Sequence, residues 1–382
     1  MFSDRVNFDF ELSLFQKNYV QTEKARKLNE AFEFIYFFCS DKQNNLCPYK
    51  KYEPEYLAYL TSLGLTLPKM DCSYPKRNWW GNDQNLELAR ILNSKITSHE
   101  VGKEHGLNPE GIVVIKTFDD LLGHLKKFDI KKWICRDPFG MAGSGSIVFD
   151  VTELANLEKH ISKQLNNNPL ILAPYFSRLI DLGFVFEGEN FEVTWNLNSK
   201  GGRFKGGIVF QNIDSWNLLI KERFQMEFKE ILKTEKKIAE IFKKIGNMDI
   251  IQVDSFIYSE EDSIKFYPLV EVNARKSMGY FINKLKRFLP KNGVGLFLSL
   301  NNSSLLKVQN FNDRRSSLGD LLYSLSNNTG VIPLSPIDGI LSSFFISGHN
   351  LEELDSLKHT LWDIISLPGK PLSPAFNFLP SK

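Results

Sequence analysis

Ile250-Ile-Gln-Val-Asp-Ser-Phe-Ile-Tyr258 leads through the polar run Ser259-Glu-Glu-Asp-Ser263 into Ile264-Lys-Phe-Tyr-Pro-Leu-Val-Glu-Val-Asn-Ala-Arg275. Two β-branched and aromatic runs flanking a polar turn predict a β-hairpin. Side chains alternate between faces along a strand. Glu271, Asn273 and Arg275 therefore share one face, while Val270, Val272 and Ala274 point to the core. On the first strand Asp254 faces away from Val253 and Ser255, and pairing about the turn can bring it alongside Glu271. Asp254, Glu271 and Asn273 would then present oxygen ligands on one face, a donor set that suits Mg²⁺, with Mn²⁺ as a substitute. Arg275, two residues beyond Asn273, can bind a phosphoryl oxygen in forked geometry. A solvent-facing polar stripe on a half-exposed sheet accounts for the same alternation. The apolar flanks and the second acid one hairpin upstream favour the metal set.

Upstream, Arg136-Asp-Pro-Phe-Gly-Met-Ala-Gly-Ser-Gly-Ser-Ile-Val-Phe-Asp150 places Gly140, Gly143 and Gly145 between two strand-like runs. Glycines let backbone N–H groups converge on a phosphate, and Arg136 supplies charge at the entrance. No GKS/T follows, so this is not a Walker A loop, and a strand rather than a helix follows Gly145. An ordinary hairpin turn fits the same glycines.

The pattern along the chain divides it into four regions. Residues 1–92 mix helical periodicity (Tyr19 to Phe37, Glu53 to Leu63) with short apolar runs, a small α/β unit. Residues 93–180 carry strand-like runs at Gly111-Ile-Val-Val-Ile115 and Trp133-Ile-Cys135 around a helical stretch, Asp119 to Phe128, with the glycine-rich turn after them. Residues 181–300 suggest a largely antiparallel sheet interrupted by an amphipathic helix, Met226 to Ile245. Residues 301–382 show Asn/Ser/Gly-rich loops and one amphipathic helix, Leu351 to Ile365. The fold class expected is mixed α/β (α+β).

Of 382 residues, 47 are Lys or Arg and 45 are Asp or Glu, a net charge of only +2. That balance gives no electrostatic reason for a nucleic acid or a membrane surface as partner. The apolar stretch Phe32 to Cys39 is far shorter than a bilayer span and reads as a buried strand or helix end. The N-terminus has no signal-peptide pattern, so a cytoplasmic protein is expected. Cys39, Cys47, Cys72 and Cys135 show no CxxC spacing, so neither a disulfide nor a zinc site is expected, and a reducing compartment fits. The histidines make no HExxH pattern.

The acid, the E-x-N and the basic residue after it resemble the ATP-grasp superfamily, over residues 55 to 290. That resemblance implies an N-terminal α/β domain followed by two α+β subdomains that clasp ATP, with residues 301–382 as an extension packed on the larger one. It implies that Asp254, Glu271 and Asn273 hold magnesium against the nucleotide phosphates, and that Arg275 contacts the phosphate or acyl-phosphate. The loop Gly140, Gly143, Ser144, Gly145 would cover the γ-phosphate. Lys95, near a helix start, and Arg136, where the family usually has lysine, would hold the α- and β-phosphates. The family's adenine hinge is usually Glu-Pro plus an apolar residue; here Ala173, Pro174 and Tyr175 stand there, so backbone groups would read the base. Arg178 and Asp181 either face the site or form a surface pair. Lys205, Gly206 and Gly207 either meet substrate or make a plain turn. Tyr59-Leu-Thr-Ser-Leu-Gly64 and Trp79-Trp-Gly81 resemble the N-terminal domain of one subgroup of the family. The implied activity is ATP-dependent joining of a small carboxylate to an amine, amino acids or peptides among them, by an enzyme that is often a homodimer. Nucleotide binding without ligation and phosphorylation of a hydroxyl remain as alternatives.

Overall fold

The computed structural model describes residues 2–379 except 17, 41–43, 82–84, 141–144, 200–201, 247 and 338. The architecture is mixed α/β, as expected, and is organised around three sheets. The first is parallel, with β1 (Ser3–Arg5), β2 (Asn45–Leu46), β3 (Lys69–Met70) and β4 (Lys76–Asn78) in the order β3-β2-β1-β4. The second contains β5 (Val113–Ile115), β6 (Lys132–Arg136), β7 (Ser146–Asp150) and β8 (Leu170–Pro174), ordered β5-β8-β6-β7. The third is antiparallel and large: β9 (Ser177–Glu187), β10 (Asn190–Asn198), β11 (Phe204–Phe210), β12 (Ile250–Glu260), β13 (Ser263–Asn273), β14 (Val294–Asn301), β15 (Gly330–Pro333) and β16 (Leu341–Gly348). Its order is β13-β12-β9-β10-β11-β14-β16-β15.

The long helix Phe228–Ile245 buries Phe228, Ile231, Glu235, Ile238, Ala239 and Phe242, a helical stripe at three- and four-residue steps. That stripe covers one face of the large sheet, against Phe184, Ile251, Val253 and Val272. The opposite face packs on the N-terminal domain through the helix Met278–Lys284, where Phe281 and Leu285 join Phe34 and Phe38. Gln252 and Asp254 alternate with the core residues Ile251 and Val253, so they project to this second side.

Two expectations need correction and one open alternative is decided. Residues 301–382 hold more than loops and one helix: β15 and β16 extend the large sheet beyond β14, and the helix Leu351–Ile365 covers them. Of the two readings of Phe32 to Cys39, the helical one holds: it is a helix end followed by the short helix Ile35–Cys39. Cys47 and Cys72 form a disulfide, with Cα atoms 4.5 Å apart. They follow β2 and β3, whose parallel register (Leu46 opposite Met70) brings the chain ends together. A separation of 25 residues carries no local signature of this pairing. Cys39 and Cys135 remain thiols, and burial pushes both up to about 12. No helix among the described residues is long and apolar enough to cross a membrane.

The N-terminal domain encloses a fully buried acid. Glu33 accepts from the Tyr49 N–H at 2.9 Å and the Tyr52 hydroxyl at 2.8 Å, and burial raises its carboxyl to about 7. An acid whose folded value lies above its unfolded value of 4.5 contributes most below the latter, and that contribution is lost as pH rises toward 7. Glu33→Gln has no such titration. Relative to wild type it should therefore gain about 3 kcal/mol between pH 4.5 and 7.5. Urea unfolding at both pH values measures this, and an identical difference at the two would refute it.

Candidate active site

The metal-set residues lie on β12 and β13 as a directly opposed pair, Asp254 across from Glu271, with Gln252 across from Asn273. Glu271, Asn273 and Arg275 are half-buried, while Val272 and Ala274 are buried, which confirms the alternation. β13 is an edge strand, and its outward N–H groups need partners. Two successive helices supply them: the Val272 N–H donates to Ser98 Oγ, in the first turn of Lys95–Glu104, at 3.1 Å, and the Ala274 N–H to Asn93 Oδ1, at the end of Leu86–Asn93, at 2.9 Å. Ser94 caps the helix Lys95–Glu104 by accepting from the Ile96 N–H. This docking carries Lys95 to Glu271, with Nζ 2.5 Å from Oε2 and its side chain only 12% exposed.

Lys95 also donates to the Gly140 carbonyl at 3.0 Å, and its backbone N–H donates to Pro138 O at 3.1 Å. It therefore ties the metal-set strand to the glycine-rich turn. Gly145 closes the neck of that turn by accepting from the Asp137 N–H, and its φ of +78° requires glycine. Gly143 and Ser144 lie outside the described residues.

Both oxygens of Asp254 accept amide hydrogen bonds, Oδ1 from Gln252 at 2.6 Å and Oδ2 from Asn273 at 2.8 Å. Ser277 in turn donates to Gln252 Oε1, which fixes that amide. Asn273 Oδ1 accepts from Arg275 Nη2 at 2.9 Å. Burial, reinforced by the Glu271 charge, pushes the Asp254 carboxyl up to about 8. Partial burial works against the Glu271 charge, yet Lys95 and Arg136 hold it below the usual carboxylate range. Two opposed acids, one of which favours its proton until a cation arrives, make a place where a metal ion would be stabilised. The hard oxygen donors fit Mg²⁺. Among the described residues no group of three or more His, Cys, Asp or Glu could hold a metal ion. The set is two carboxylates and an amide, a number that fits Mg²⁺ retaining waters and phosphates.

Arg136 ends β6, is 7% exposed, and hydrogen-bonds Tyr267 on β13. Burial lowers its pKa, and its Nε lacks a partner among the described residues. Arg178 pairs with Asp181 at 2.9 Å and lies 4.4 Å from the Phe256 ring centroid. Asp181 shares a face of β9 with Gly183, the residue opposite Asp254, so this pair borders the site. Ala173 and Pro174 are buried on β8, with Ala173 opposite Ile134, and Tyr175 is exposed beside Lys132, whose Nζ lies 4.4 Å from its ring centroid. Lys205 sits half-buried on β11, away from any ion pair among the described residues.

Arg275 turns toward the N-terminal domain. It pairs with Glu11 in the helix Phe10–Phe15, and both side chains are 11% exposed. Burial pushes its ionisation down to about 9, a cost that the touching carboxylate offsets. The Lys276 N–H donates to Trp80 O at 3.1 Å, a second tie to the same domain. Glu11, Gln252, Ser277 and Tyr267 were not singled out from the sequence. Gln252 carried a signal, since it precedes Asp254 by two residues on the same face.

No protein-family model matches the chain, and no curated protein sequence matches it. Among solved structures, it is similar to N5-carboxyaminoimidazole synthetase from Staphylococcus aureus complexed with ADP, with TM-score 0.47, 10% identity, 82% of this chain and 78% of that one covered. It is similar to N5-carboxyaminoimidazole ribonucleotide synthetase from Thermus thermophilus, with TM-score 0.46, 14% identity and 86% and 89% covered. It is also similar to the L-amino acid ligase from Bacillus licheniformis, with TM-score 0.44, 12% identity and 75% of each chain covered.

Proposed function

We propose that the protein is an ATP-grasp ligase that activates a small carboxylate with ATP and joins it to an amine. The observation that carries this reading is the opposition of Asp254 and Glu271 across the hairpin, with Lys95 bridging Glu271 to the glycine-rich turn. The substrate carboxylate oxygen attacks the γ-phosphorus, the bond to ADP breaks, and an acyl-phosphate forms. The amine nitrogen then attacks the acyl carbon, inorganic phosphate departs, and the amine proton passes to solvent. Mg²⁺ held by Asp254, Glu271 and Asn273 would neutralise phosphate charge. Lys95 and Arg136 position the α- and β-phosphates, Gly140 to Gly145 close over the γ-phosphate, and Arg275 binds the developing acyl-phosphate. Such catalysis is positioning and charge neutralisation.

Lys95→Met tests this by removing the cation between Glu271 and Gly140 while keeping the length of the side chain. ADP release with amino acids and other small acids, in the presence of amines, should fall roughly 10²-fold. Equal release by wild type and variant across every substrate would sink the reading. A stable phosphorylated product without an amide would identify a kinase.

A further inference from the structure

The strands of the first sheet run parallel, so the loops that leave their carboxyl ends share one edge. The Cys47–Cys72 bond ties the loop after β2 to the loop after β3 on that edge. Its two halves differ in access: Cys72 is exposed, whereas Cys47 is 1% exposed. Arg5 Nη1 donates to Cys47 Sγ at 3.5 Å, and its guanidinium carbon lies 3.9 Å from the Tyr49 ring centroid. Thiol–disulfide exchange starts at the sulfur that a thiolate can reach, and it runs faster when the departing sulfur is stabilised as an anion. Cys72 meets the first condition, and Arg5 beside Cys47 meets the second. Cys39 and Cys135, pushed up to about 12 by burial, supply no competing thiolate near neutral pH. Nor does the bond replace a missing core, because Phe34, Tyr36, Phe37 and Tyr56 already build one in this domain.

The Cys47 loop also holds the end of β1. The Cys47 N–H donates to Asp4 O at 2.8 Å, and the Tyr49 hydroxyl donates to Val6 O at 3.1 Å. The end of β1 in turn holds the loop after β4. Arg5 O accepts from the Trp79 N–H at 3.0 Å, and Asn7 Oδ1 accepts from the N–H groups of Trp80 at 2.8 Å and Gly81 at 3.2 Å. Trp80 O then accepts from the N–H of Lys276, the residue after Arg275. A short hydrogen-bonded path therefore joins the disulfide to the metal-set strand through β1 and residues 79–81. β3 is a two-residue strand at the edge of its sheet, so opening the bond leaves Cys72 on a very short ladder.

We propose that the Cys47–Cys72 bond is a redox switch that sets how firmly the N-terminal domain holds residues 275–277. A thiolate of an external dithiol attacks Cys72 Sγ, the S–S bond breaks, and its electron pair leaves on Cys47 beside Arg5. The second thiolate of the dithiol then attacks its own sulfur in the mixed disulfide, and Cys72 leaves. The reductant closes into a disulfide, and the two protein sulfurs take up the two protons that it gave up, so two electrons pass to the protein. The oxidised form holds residues 79–81 and Lys276 firmly, and the reduced form loosens them. The switch does not depend on the ligase reading; only its effect on turnover does.

The test treats the folded full chain with dithiothreitol and reads amide hydrogen exchange in the oxidised, reduced and reoxidised protein. The Trp80, Gly81 and Lys276 amides should exchange about 10-fold faster after reduction and recover on reoxidation, while those of β8 stay unchanged. The monothiol 2-mercaptoethanol should leave its adduct on Cys72. Arg5→Gln, which removes the charge beside the departing sulfur, should slow reduction about 5-fold. Cys72→Ser should exchange like reduced wild type and ignore dithiothreitol, and if that variant does not fold the wild-type comparison decides alone. A bond that dithiothreitol opens only on unfolding, an adduct on Cys47, or faster exchange at residues 69–73 without any change at 80, 81 and 276 overturns the proposal. Absence of ADP release with every substrate in both redox forms would overturn the ligase reading instead, and the exchange measurements would still decide the switch.

Discussion

Asp254→Asn should lower ADP release roughly 10²- to 10³-fold while leaving the metal-free protein at least as stable as wild type above neutral pH. The two halves of this result have one cause. Burial and the facing Glu271 raise the Asp254 carboxyl to about 8, so the metal-free fold favours the protonated form. The ordinary value is 3.8, which means that folding takes up a proton between about pH 4 and 8. Stability from this group is therefore greatest below the unfolded value and is lost as pH rises through the folded one. Asparagine mimics the neutral acid and does not titrate, so its advantage over wild type should grow with pH across that window. Thermal unfolding from pH 5 to 8.5 measures the stability half. In wild type Mg²⁺ and ADP together should raise the melting temperature, and in the variant that rise should vanish. A variant that is less stable at every pH and still responds to Mg²⁺ would remove Asp254 from the metal set.

The hairpin was legible because it is local. Alternation assigns faces without knowledge of the fold, and a short polar turn leaves few registers, so Asp254 and Glu271 could be opposed from sequence alone. Lys95 was placed by resemblance, and its contact with Glu271 depends on Asn93 and Ser98 serving the edge of β13, which no spacing encodes. Glu11 lies 264 residues from Arg275 and belongs to a six-residue helix without a motif, so its role appears only in three dimensions. The Cys47–Cys72 bond was missed for the same reason, since parallel pairing of two short strands creates it. The C-terminal strands β14 and β16 were obscured differently. Val294-Gly-Leu-Phe-Leu-Ser-Leu300 and Leu341-Ser-Ser-Phe-Phe-Ile-Ser-Gly348 are core strands, buried on both faces, so they lack alternation and stand among Asn/Ser loops.

Those strands matter because one residue couples them to the site. Gly206 on β11 lies between β10, opposite Leu197, and β14, opposite Leu298. A Cβ at this position would stand 2.1 Å from the Phe297 carbonyl oxygen and 3.2 Å from its carbon. The obstacle is backbone inside a continuous sheet, so no rotamer change relieves it, and the β11–β14 ladder must open. Gly206→Ala should therefore cost about 3 kcal/mol or more, at the upper end of what overpacking does. Gly207→Ala is the internal control, because its nearest neighbour is the mobile Cδ1 of Ile282 at 2.7 Å, and its effect should be clearly smaller. The damage also has a direction. The β11–β14 contact separates the strands that carry Asp181, Asp254 and Glu271 from the half covered by Leu351–Ile365, where Trp362 resides. With that ladder opened, the Trp362 side should melt before the metal-site side, turning one unfolding transition into two. Nucleotide binding should then persist beyond the first of them. Urea titration followed by hydrogen exchange of the β16 and β12 amides and by bound fluorescent ADP would separate the halves. A single transition at the wild-type midpoint would mean that β11 tolerates the methyl group and that the ladder does not couple the C-terminal strands to the site.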